Sequence, residues 1–200
     1  QVPGPEPDFS CPGRGARAAA MYSVQLAVSS LGGVPGATAY HTSVLVGEEE
    51  FSFSDAGITA ARGAASHQAA PGPAKLTDLG TSQRSGRELL AALARHFERG
   101  TYDLLRKNCN SFSDAAIWFL LNRRLDQQYR TLERLGSSMP ALVQAVSGGS
   151  YAPNPRAAQF NLEELVADLD PEKVWRTPGH VTGGACAASA DAMRNARLAP

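Results

Sequence analysis

An excess of charge of either sign is absent from this sequence. Lys plus Arg number 19 and Asp plus Glu 19, so the formal net charge at pH 7 is zero. Without a basic field nothing draws in a nucleic acid or an anionic membrane surface, and no nucleic-acid partner is expected. No apolar run nears the roughly 20 residues that a membrane-crossing helix needs, so no membrane span is expected either. Cysteine is scarce: Cys11, Cys109 and Cys186 make three, an odd number, and two of them lie in the end segments. That arithmetic excludes a disulfide framework and fits reduced thiols in a cytoplasmic or nuclear protein. The four histidines, His41, His67, His96 and His180, show no metal-ligand spacing, so neither a metal nor a cofactor is expected.

Large apolar side chains are thin at both ends, where Ala, Gly, Pro and Ser dominate. Three segments follow from this. Residues 1–20 read as a disordered start, 21–138 as one folded domain, and 139–200 as a low-complexity tail. The 43% hydrophobic content is enough for a core in that domain. The opening residue, Gln1 rather than Met, fits a truncated or processed chain. Within the tail, Asn161 can cap a short amphipathic helix near 161–170 whose Leu162, Leu165, Val166 and Leu169 share a face. That face suits packing back onto the domain or docking to a partner protein.

Alternation of Tyr22, Val24, Leu26 and Val28 with smaller or polar residues predicts a first strand, and Leu31 to Gly36 reads as a turn. Thr38 to Val46 and Glu50 to Phe53 read as a second and third strand across a Gly47-Glu48 hairpin turn. Thr59 to Pro73 reads as a loop, Ala74 to Leu79 as one more short strand, and Ser82 to Arg99 as a helix. Together these predict an α+β fold, a small antiparallel sheet or barrel packed with helices.

The run from Ala115 to Leu121 is almost wholly apolar, and Phe112, Ala115, Ala116, Phe119 and Leu120 keep helical spacing. Such a helix is buried nearly all round, and either Asn108 or Ser111 can cap its start. Cys109 then stands at or beside the helix N-terminus, where unpaired N–H groups and the helix dipole favour a thiolate. Spacing alone fits a small buried cysteine and a hydrogen-bonded structural histidine at least as well as catalysis. The sharper reading pairs Cys109 with His41, which leaves the second strand on one face with Ser43 and Leu45. A thiol and an imidazole in contact are equipped for acyl transfer.

Local wording gives the sharper reading its weight. His41-Thr42-Ser43-Val44-Leu45-Val46, followed by Glu50-Phe51-Ser52-Phe53 and Gly57-Ile58, resembles the histidine motif of the PPPDE family of cysteine peptidases. Thr101-Tyr102-Asp103-Leu104-Leu105-Arg106-Lys107-Asn108-Cys109-Asn110-Ser111-Phe112-Ser113 resembles that family's cysteine motif. The resemblance spans 21–138 and implies a permuted papain-like fold, which accounts for His41 preceding Cys109. It implies Cys109 as nucleophile and His41 as general base and acid, with no cofactor. The substrates it implies are ubiquitin or SUMO conjugates, cut at isopeptide or peptide bonds. A protein S-palmitoyl thioesterase using the same dyad, or a non-catalytic adaptor, are the alternatives. Asn108 is the oxyanion or orienting candidate, and Asn110, Ser111 and Tyr40 are the substrate-groove candidates. Ser111 stands where many members have His, Ser54 at a frequent Gly position, and Asp126 where Pro is common; these departures bear on substrate choice.

Overall fold

The alternation that begins at Tyr22 builds strand β1, Tyr22–Val34, in the computed structural model, which describes residues 20–136 and 138–169. β1 runs past the expected turn because the Leu31-Gly32-Gly33 stretch is absorbed as a bulge between Ser30 and Gly32. The chain reverses one step later at Pro35-Gly36. Proline presets the first central position and Gly36, at φ 86°, takes the left-handed second one of a type II turn. Strands β2 (Ala37–Val46), β3 (Glu49–Ser54), β4 (Gly57–Arg62) and β5 (Lys75–Ser82) complete the sheet. All neighbours are antiparallel in the order β4-β3-β2-β1-β5. The sheet is therefore open, not a barrel, and β4 lies partly in the stretch read as a loop. Its small residues hide a strand that is fixed by pairing with β3, from Gly57 against Ser54 to Arg62 against Glu49.

Helix α1 spans Gly86–Leu93 behind a capping box of Ser85 and Glu88; it starts later than expected because Ser82 still belongs to β5, and it ends at Leu93, short of the expected Arg99. Helices α2 (Cys109–Leu121), α3 (Thr131–Leu135), α4 (Pro140–Ser147) and α5 (Leu162–Asp168) follow. Apolar side chains of β1, β2 and β3 face α1 and α2, and Phe53, Phe97 and Phe112 meet edge to face or tilted between them, with Phe97 at 4.9 Å from Phe53 and 5.3 Å from Phe112. Burial of each such ring is worth about 1.5–3 kcal/mol. The packed unit extends past residue 138. Leu142 of α4 joins Ala37, Ala39 and Leu132 in a second apolar cluster, and Leu162, Leu165, Val166 and Leu169 enter the main core beside α2. The apolar face of the 161–170 helix is thus occupied within the chain as far as Leu169. Residues 1–19 and 170–200, with Cys11 and Cys186, lie outside the described residues. No described helix is long and apolar enough to cross a membrane.

One gap in the sheet positions everything that follows. β3 pairs with β2 only from Val44 to Val46, so among the described residues the same edge of β2 before Val44 has no strand beside it. The N-terminus of α2 fills that place.

Candidate active site

Asn108 decides where the candidate nucleophile sits. Its Oδ1 accepts from the backbone N–H groups of Asn110 (2.9 Å) and Ser111 (3.0 Å), while the Ser111 hydroxyl accepts from the Asn108 N–H (2.8 Å). Of the two starts open to the sequence, this reciprocal box selects the earlier and makes Cys109 the first residue of α2. The Asn108 amide is committed at its other end too, with Nδ2 donating to the Leu104 carbonyl at 2.8 Å. Asn108 therefore orients the helix start.

The unpaired edge of β2 arrives at the same point. Asn110 Nδ2 donates to the Tyr40 carbonyl at 3.2 Å, and Asn110 Oδ1 accepts from the Thr42 hydroxyl at 2.9 Å. The Thr42 backbone N–H is on the same side as the Cys109 sulfur and favours its thiolate. Tyr40 and Thr42 flank His41, so α2 is tied to the strand on both sides of the histidine. The pleat sends the Thr42 side chain toward α2, where it also meets Ser113 at 2.9 Å, and the His41 side chain to the other face. There His41 Nε2 pairs with Ser66 Oγ at 2.8 Å, and its ring packs on His67 with centroids 4.5 Å apart. No hydrogen bond joins Cys109 to His41 among the described residues. The structure brings the histidine's backbone to the thiol and holds its ring one face away. Asn110 and Ser111, expected along a groove, are both buried, Asn110 as the end of this tie and Ser111 within the capping box; Tyr40 is half-buried and meets Tyr129 edge-on at 5.3 Å.

Burial reverses the electrostatic expectation for the thiol. Cys109 is 4% exposed, and its thiol donates a long hydrogen bond to Asn110 Oδ1, 3.8 Å. Desolvation pushes the thiol up to about 11, and the charge of Glu133 adds to the rise. The Thr42 N–H, the Tyr102 hydroxyl and the Asn110 N–H favour the thiolate but do not outweigh it. His41 moves the other way, lowered to about 4 by burial first and by His67 second, against a smaller opposing pull from Glu50. Both shifts oppose moving the proton from thiol to imidazole, so the closed site favours a neutral thiol and a neutral ring.

Two expected results follow. The rate at which iodoacetamide alkylates Cys109 in the free protein, mapped by peptide mass, should climb about tenfold per pH step from 8 to 10, because the thiolate fraction is still growing there. A plateau already reached near pH 7 contradicts the burial argument. The second concerns Glu133, whose two carboxylate oxygens are buried with no hydrogen-bond partner among the described residues, and whose own acidity burial weakens. Asn108 and Arg130 only partly offset that. Glu133→Gln removes the negative charge that raises the thiol, so alkylation at pH 8 to 9 should be faster than in the parent. An unchanged or slower rate contradicts this assignment.

Glu133, the Thr42 N–H and the cluster around His41 are the parts that sequence reasoning missed. Glu50 carried a signal, since it lies in the histidine motif and alternation in β3 sets it opposite Phe51. His67, in an Ala- and Gly-rich segment, carried none. Among the described residues no group of three or more His, Cys, Asp and Glu side chains is arranged to hold a metal ion.

The model of one protein family, described as "PPPDE putative peptidase domain", matches residues 16–147. No curated protein matches the chain.

Proposed function

This chain belongs to the PPPDE peptidase family, and we propose that it is a cysteine-type hydrolase cleaving isopeptide or peptide bonds of ubiquitin or SUMO conjugates in the reducing cytoplasm or nucleus. The observation that carries the reading is the tie of Asn110 to Tyr40 and Thr42, which brings the residue next to Cys109 against the strand on both sides of His41. Neither motif predicts the other from its own sequence, yet the two converge at one strand edge.

In the proposed cycle, substrate entry opens the sealed site and lets water reach the sulfur, which lowers the cost of the thiolate. The Cys109 sulfur approaches the His41 ring, and Nδ1 takes its proton. The sulfur attacks the carbonyl carbon, and the carbonyl π electrons move onto oxygen, where the Thr42 N–H is a ready donor. Collapse breaks the carbon–nitrogen bond as His41 gives its proton to the departing amine. Water then attacks the thioester, gives a proton to His41, and releases the carboxylate product with the thiol restored. Looser geometry in the unliganded protein is compatible with this, since catalytic contacts often tighten only with substrate bound.

A substrate panel tests the proposal. The purified protein should cleave ubiquitin or SUMO isopeptide conjugates, and a Cys109→Ala control should not. Turnover confined to palmitoyl thioesters moves the chain to the thioesterase reading, and no turnover of any of the three leaves an adaptor.

A further inference from the structure

On the sheet face opposite α2, one carboxylate organises two histidines. Glu50 is 1% exposed, and its Oε1 accepts from the hydroxyls of Ser43 and Ser66, each at 2.6 Å, while Oε2 accepts from the Ser66 backbone N–H at 2.9 Å. Each serine has a second partner. Ser66 Oγ lies 2.8 Å from His41 Nε2, and Ser43 Oγ lies 2.9 Å from His67 Nε2. His67 Nδ1 is in turn 2.9 Å from Ser29 Oγ. The Ala65–His67 turn is what delivers Ser66 and His67 over the strands.

Proton counting fixes the direction of these bonds. A hydroxyl carries one hydrogen and a carboxylate carries none, so both serines give their hydrogen to Glu50. Each serine can then only accept from its imidazole, which requires a hydrogen on Nε2 of His41 and of His67. A neutral ring holds one N–H, so Nδ1 of each carries a lone pair. His67 spends that lone pair on the Ser29 hydroxyl. His41 Nδ1 makes no hydrogen bond among the described residues.

We infer that Glu50, acting through the Ser66 hydroxyl, locks His41 as the Nε2–H tautomer and so presents Nδ1 as the nitrogen that exchanges protons with Cys109. Glu50 and Ser66 are positioning residues: neither touches the thiol, and both act through the ring they hold. The inference rests on the reading of His41 as the general base. It adds the third partner that the two motifs alone do not supply. A glutamate that merely pinned the Ala65–His67 turn would stabilise the protein equally, but its loss would leave the tautomer unmoved.

Nuclear magnetic resonance of the full chain with nitrogen-15 histidine reads the tautomer without any substrate, from which ring nitrogen shows the protonated type of shift. His41 is expected as Nε2–H in the parent at pH 7. In Glu50→Gln, whose amide can donate as well as accept, and in Ser66→Ala, which removes the acceptor, the His41 signals should move toward a mixture. Ser66→Thr, which keeps the hydroxyl, should restore the parent pattern and guards against misreading a folding defect. On an isopeptide substrate, kcat in the first two variants should fall about 10–100-fold with KM little changed. A parent His41 in the Nδ1–H form, or signals indifferent to both Glu50→Gln and Ser66→Ala, overturns the inference. A locked tautomer alongside a fully active His41→Ala variant leaves the lock standing and overturns the reading of His41 as base.

Discussion

Cys109→Ala is expected to lower turnover of an isopeptide substrate by about 10³-fold or more while leaving the protein folded. The two halves of that statement have separate reasons. The side chain is the only thiol in the described residues, and the proposed acyl transfer has no other nucleophile at the β2 edge. Its contribution to packing is small, because the loss is one sulfur beside Thr42 and Tyr102, and the capping box that starts α2 uses Asn108 and Ser111 instead. His41→Ala should lower turnover by about 10²–10⁴-fold, the usual range for a positioned acid and base. Because the closed site keeps the thiol and the ring neutral, His41→Ala should leave the resting alkylation of Cys109 nearly unchanged. Turnover lost in step with alkylation would mean that His41 sets the thiol's resting ionisation, against the account given above.

The largest effect on stability is expected at Asp114→Ala, further along α2 from the thiol. Asp114 is 1% exposed and accepts Arg124 Nε and Nη2, each at 2.9 Å, the Leu125 N–H at 2.9 Å, and Arg130 Nη1 at 3.2 Å. Arg124 forks onward to Glu163 at 2.7 and 2.8 Å, and the Glu163 and Asp114 carboxylates together hold the guanidinium firmly in its charged form. One buried carboxylate thus fastens the chain after α2 to α5. Alanine would leave Arg130 and the buried Leu125 N–H without this acceptor and Arg124 with Glu163 alone. Breaking such a buried pair from one side costs about 3–5 kcal/mol. At 2–4 °C per kcal/mol for a chain of this size, the melting temperature should drop by about 10 °C. Asp114→Asn, which keeps an acceptor for Leu125, should fall between. A drop below about 2 °C for the alanine variant in a thermal melt would show that water readily replaces the network.

Much of the fold was legible because its signals are local. Alternation named β1 to β3, helical spacing named α2, and the cap before it was narrowed to Asn108 or Ser111. The choice between those two needed the reciprocal bonds, which depend on side-chain direction and not on residue type. The bulge at Leu31 and the pairing of β4 with β3 are decided between strands, so Gly-rich and Ala-rich wording concealed them. Residues 140–160 read as tail because their apolar positions are few, yet Leu142 finds a face prepared by β2. The helix near 161–170 was legible, and of its two readings, packing back or docking to a partner, the structure shows Leu162 and Leu165 packed beside α2.

At the site, the helix-start argument for a low-pKa thiol identified the right position and misjudged the balance, since burial outweighs the donors around the sulfur. His41 was legible as a face residue of β2. Its partners were not, because Ser29, Ser43, Glu50, Ser66 and His67 come from three strands and a turn and meet only once the sheet is formed.

The most direct test of the central claim is peptide-level mapping of the adduct formed with ubiquitin or SUMO carrying a thiol-directed electrophile at its C-terminus. The account predicts an adduct on Cys109, not on Cys11 or Cys186, formed much more slowly in His41→Ala and absent in Cys109→Ala. Equal labelling of all three thiols, or labelling that survives Cys109→Ala, would contradict it.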